Sequence, residues 1–176
     1  MAEVVDLRLF QELDNDKNYL VLIHPQTIPH LGLIVKGSYY SLTYKEAEIA
    51  LNADEFLKKL DRAKKKIILL EVNKNLQDAE SVFGRFKSVD TSKTSCFIPV
   101  KTILMPSSDS EMIHELIPEL YEAQLIGDSF QLNLENLLNK SGNFELRKYS
   151  KEMIFSYIQA LKNRDATGKQ NSITGH

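Results

Sequence analysis

The chain has 176 residues, 22 Lys and Arg against 24 Asp and Glu for a net charge of −2, and 43% hydrophobic residues. That suffices for one domain with its own core and excludes both two comfortable domains and a disordered composition. A single cysteine excludes an internal disulfide framework, and the balanced charge argues against nucleic acid or an anionic membrane as a partner.

No apolar run reaches the roughly 18–20 residues of a membrane span. The start, Met-Ala-Glu-Val-Val-Asp, lacks the basic and apolar stretches of a signal peptide. The expectation is a cytoplasmic protein whose thiol stays reduced. Residues 1–162 are expected to form one α+β domain, and 163–176 a disordered tail.

Val4–Phe10 reads as a short extended run and Tyr19–His24 as a buried strand. Pro25 and Pro29 make 24–29 a redirecting loop. His30–Val35 and Tyr39–Thr43 read as a hairpin around Lys36-Gly37-Ser38, where glycine is free to take positive φ. Asn52 with Glu55 has the pattern of a helix N-cap, and Ala53, Phe56, Leu57, Leu60 and Ala63 follow at helical spacing.

Ile67–Val72 is a compact apolar strand interrupted by one acid, Glu71. Leu76, Ala79, Phe83 and Phe86 suggest a short helix, 87–95 a polar loop, and Cys96–Met105 a helix with Pro99 in its first turn. The second half reads as mostly helical. A helix beyond Ser108 carries Met112, Ile113, Leu116 and Leu120 and should be interrupted at Pro118; another is suggested over 132–138. A final helix opens at Ser150 and carries Ile154, Ile158 and Leu161. The fold expected is a small antiparallel sheet from the first half with helices packed on it.

Cys96 is the sharpest chemical lead. It stands where a polar loop becomes a helix, and a helix N-terminus favours the thiolate through its free N–H groups. The alternative is a small buried hydrophobe. His30, at a strand start after Pro29, is the candidate base, with Gly32 on the same strand face leaving room for a neighbour. His24 is a rival base, and His114 reads as a surface residue inside a helix. A Cys–His pair needs a third polar group to orient the imidazole. Glu71 is the candidate, with Ser41 and Thr43 as alternatives.

The run Lys58, Lys59, Arg62, Lys64, Lys65 and Lys66 could contact phosphates or an acidic partner, but it matches the solvated side of an amphipathic helix. No zinc signature, phosphate-cradling glycine loop or serine elbow is present, so no cofactor or metal is expected.

His30-Leu-Gly32-Leu-Ile-Val-Lys-Gly-Ser-Tyr-Tyr-Ser-Leu followed by Thr94-Ser-Cys96-Phe-Ile-Pro resembles the circularly permuted papain-like thiol enzymes, the lecithin:retinol acyltransferase-like and permuted NlpC-type proteins. The likeness spans about 20–105. It implies a permuted papain-like core with catalytic Cys96 and His30. The activity it implies is a hydrolase or acyltransferase acting on an amide or ester of a small molecule or peptide. A non-catalytic interaction module on the same scaffold, binding a protein partner, is the alternative; a nucleic-acid-associated accessory protein is a third.

Overall fold

A computed structural model describes residues 2–86, 88 and 95–174. Most of the polar loop expected over 87–95 lies outside them.

The chain begins with two short strands, β1 (Glu3–Val4) and β2 (Leu7–Leu9), followed by β3 (Asn18–Ile23). Every residue of β3 is buried, as its unbroken apolar run requires of a strand covered on both faces. β4 (His30–Val35) and β5 (Ser38–Leu42) form the expected hairpin. Its two central residues, Lys36 and Gly37, both have positive φ, the turn that matches strand twist. The buried Asn18 side chain accepts from Lys36 N–H at 3.1 Å and donates to Lys74 C=O at 3.0 Å.

β6 (Ala47–Asn52) adds an edge strand that no apolar alternation announced. A register shift interrupts its pairing with β5, and Ala50 within it has positive φ, so its pattern is broken by an irregularity. Asn52 then caps α1 (Ala53–Arg62), accepting from Glu55 N–H at 3.0 Å. Asn52→Ala is expected to cost about 1 kcal/mol; a denaturant midpoint unmoved in that variant would show that the cap is dispensable.

β7 (Ile67–Val72) is followed by α2 (Ala79–Phe83), α3 (Phe97–Leu104) and α4 (Ile113–Glu122). Pro118 does not end α4; Ile117 and Leu120 on either side of it are fully buried, so packing outweighs the lost backbone bond. β8 (Ile126–Leu132) returns to the sheet, where helices were expected. Its polar residues hid it, yet Ser129 and Gln131 are buried, and Gln131 Oε1 accepts from Leu134 N–H at 2.9 Å. A 3-10 turn over Glu135–Leu137 stands where a helix was expected over 132–138. β9 (Phe144–Glu145) and α5 (Lys151–Thr174) complete the order. α5 continues past Asn163, where the tail was expected to begin.

The architecture is α+β, and the sheet is wider than the first half alone supplies. Its order is β2-β8-β7-β3-β4-β5-β6, antiparallel except for the parallel β2–β8 pair, and β1 and β9 form a separate antiparallel pair. Strand alternation sends Leu20, Leu22, Leu31, Leu33 and Ile68 to the face packed by α2, α3 and α4. Tyr19, Val21, Ile34 and Tyr39 go to the face packed by α1. Among the described residues no helix is long and apolar enough to cross a membrane.

Candidate functional site

α3 begins beside β4. Cys96 is its N-cap, half-buried, and Pro99 lies in the first turn without an N–H to satisfy. Phe97 N–H donates to Ser95 Oγ at 3.3 Å and Ile98 N–H to Ser95 C=O at 3.2 Å. The helix start is thus largely capped by its own preceding residue. The N–H groups that act on the sulfur are those of Leu31 and Cys96 itself, and they favour the thiolate. Burial outweighs them and pushes the thiol up to about 11.

His30 is the first residue of β4 and pairs with Ile23. Its Nε2 is buried with no hydrogen-bond partner among the described residues. Burial, with a smaller contribution from His24, pushes the imidazole down to about 4. Its neutral form is therefore the folded form at pH 7, whereas the unfolded chain takes up a proton below about 6.5. Stability is expected to be intact above about pH 6.5 and to fall as pH drops towards 4, by up to about 1.4 kcal/mol per pH unit. Urea unfolding of His30→Gln across that range should show the slope flattened; an unchanged slope would assign it to other groups.

Cys96 and His30 line one cavity of about 240 Å³. Apolar side chains dominate its wall, among them Ile28, Leu42 and Phe97. α5 supplies Ile154, Tyr157, Ile158 and Leu161, and Tyr149 precedes them. α5 is tied down by Asp165, which accepts from Tyr44 Oη and pairs with Lys45 at 3.2 Å, and by Lys151, which pairs with Glu111 at 3.0 Å. Tyr149 Oη accepts from Ile113 N–H at 3.4 Å, fixing the approach to α5 on α4.

Glu71 does not join this site. It pairs with Tyr19 on β3, whose partner on β4 is Ile34, four residues from His30. Two strand spacings and four residues of rise put their backbones about 16 Å apart. Its carboxylate instead holds Lys17 at 3.2 Å. Glu71→Gln should therefore lose that ion pair and leave the thiol and imidazole untouched, readable as unchanged Cys96 alkylation and an unchanged His30 titration.

The polar alternatives sit closer in the sheet. Ser41 is fully buried and donates to Glu48 Oε1 at 3.1 Å, and Glu48 lines the cavity. Thr43 also lines it, but its hydroxyl is used in the β5–β6 turn, donating to Glu46 C=O at 2.8 Å. Glu48 was missed because the strand carrying it was missed. The α5 face was legible as Ile154, Ile158 and Leu161, but nothing in the sequence said what it covers.

Among the described residues the remaining histidines do not line the thiol cavity. His24 lines a second pocket, which shares Ile28 and Tyr157 with it. His114 packs edge-to-face on Tyr149 at 5.1 Å, with Nδ1 buried and unpartnered among the described residues, so it is not the plain surface residue expected. Lys58 pairs with Asp54 one turn earlier at 2.8 Å, and Ala53 and Leu57 bury the opposite face of α1. Among the described residues no three His, Cys, Asp or Glu side chains gather as a metal site would need.

Comparison with protein-family models, curated proteins and solved structures gives no match. The functional reading therefore rests on the site itself.

Proposed function

We propose that this chain is a cysteine-dependent hydrolase or acyltransferase, acting on an amide or ester through Cys96 as nucleophile and His30 as base. What supports the reading most is that Cys96, at a helix start, and His30, at a strand start, both line one cavity. Its apolar wall suits the acyl part of a substrate. In the first step His30 Nε2 takes the thiol proton as the sulfur bonds to the acyl carbon. The leaving amine or alcohol then departs with that proton. Water or an acceptor hydroxyl cleaves the thioester in the second step and regenerates the thiol.

The test is mass spectrometry of the protein after incubation with activated acyl esters of increasing chain length, alongside turnover. The expected result is an acyl adduct on Cys96, abolished by Cys96→Ala, with turnover lowered about 10²–10⁴-fold by His30→Gln. No adduct from any ester would sink the proposal.

A second reading is favoured by one observation: the thiol is pushed up to about 11 and the imidazole down to about 4, so both are neutral at pH 7. A non-catalytic module that holds an apolar ligand in the same cavity needs neither charge. It predicts that Cys96→Ala binds an apolar fluorophore as well as the parent chain does.

A further inference from the structure

Beside the thiol cavity, and sharing Ile28 and Tyr157 with it, lies a surface pocket of about 460 Å³ with a different character. Four segments distant in sequence meet there. The β3–β4 loop brings His24 and Gln26, the turn between α1 and β7 brings Lys65, the β9–α5 connection brings Arg147, and α5 brings Arg164. Among the described residues no carboxylate lines this pocket. Among the described residues neither Lys65, Arg147 nor Arg164 forms an ion pair. The nearest acid in sequence, Asp165, is occupied with Tyr44 and Lys45.

Two further features set this cluster apart from scattered surface charge. Gln26, whose Oε1 is buried with no partner among the described residues, contributes an uncharged polar side chain to the wall. His24 is held in place: its φ is 58°, its N–H donates to Lys66 C=O at 2.9 Å, and its C=O accepts from Thr27 N–H at 3.1 Å. Burial and the Lys65 and Lys66 charges push its imidazole below the usual histidine range. The pocket thus concentrates positive charge with no counter-ion among the described residues, and two of its cations are guanidinium forks suited to oxyanion geometry.

We propose that this pocket binds a tetrahedral oxyanion, as a phosphate ester or as inorganic phosphate, between Arg147, Arg164 and Lys65. The site does not depend on the thiol chemistry proposed above. Met153 and Tyr157 also line it and offer a surface for an apolar group on an ester.

Inorganic phosphate and phenyl phosphate, titrated separately at low ionic strength, test this by calorimetry and by the His24 imidazole resonances. Saturable binding is expected, with the His24 pKa rising on binding, because the anion favours its charged form. Arg147→Ala with Arg164→Ala should weaken binding at least about tenfold, as loss of charge-assisted hydrogen bonds requires. Lys58→Ala with Lys59→Ala removes the same charge elsewhere and should change it less than about twofold. Tighter binding of phenyl phosphate identifies an ester as the ligand, and equal binding identifies the free ion. Absence of saturable binding by both probes, or equal losses in the two double variants, overturns the site.

Discussion

Gly32→Ala is expected to destabilise the protein by about 3 kcal/mol, which lowers Tm by roughly 6–12 °C in a chain of this size. A Cβ at position 32 would stand 2.5 Å from both Cε2 and Oη of Tyr39. The ring cannot yield: Tyr39 is fully buried and stacks on Phe56 with centroids 4.0 Å apart. Tyr39 pairs with Ile34, so its ring reaches diagonally across β4 to lie over the glycine. The room that Gly32 leaves is therefore filled from the next strand. Tyr39→Leu in the Gly32→Ala background should recover part of the loss, because the shorter side chain frees the space the new methyl takes. A Gly32→Ala variant within about 0.5 kcal/mol of the parent would show that the ring moves after all.

The second large effect concerns the thiol. With its pKa at about 11, native Cys96 should react with iodoacetamide at pH 7.5 about 100-fold more slowly than an ordinary free thiol, because only the thiolate attacks. Part of its burial comes from α5, through Ile158 and Leu161 on the cavity wall. Ile158→Glu with Leu161→Glu places two carboxylates on that wall and should lift α5 away. Water then reaches the sulfur, and alkylation should accelerate at least about tenfold. Circular dichroism and the urea midpoint separate this local opening from global unfolding. A native thiol that labels at the free-cysteine rate would refute the covered arrangement. A double variant that stays folded and labels no faster would place the burial in α3 and β4 alone.

These two residues also show how far the sequence could be read. The β3, β4, β5 and β7 strands were legible because their apolar runs are bounded by prolines, glycine or charge. The Asn52 cap was legible because capping is a local hydrogen bond between residues three apart. Cys96 and His30, singled out at a helix start and a strand start, line the same cavity. Glu71 misled because an acid inside an apolar strand looks functional until strand order is known. Its partner Lys17 lies on the neighbouring chain segment, a pairing set by register rather than by spacing. β6 and β8 were hidden for opposite reasons. β6 is an irregular edge with little burial, while β8 buries Ser129 and Gln131, residues that hydropathy reads as exposed. No local pattern reports either circumstance.

The parallel β2–β8 edge and the β1–β9 pair bear on how the chain assembles. Leu7 takes its place against Ser129, and Asp6 N–H donates to the Asn143 side chain, a bond spanning 137 positions. β2 and Asp6 are thus synthesised well before the segments they pair with. During synthesis β3, β4 and β5 can pair with one another at once, whereas β2 must wait until β8 emerges. Loop closure over that distance is slow, and strand edges remain open meanwhile. The β2 segment consequently stays open to proteolysis or to a holding chaperone until β8 has been made, although it is paired in the finished fold.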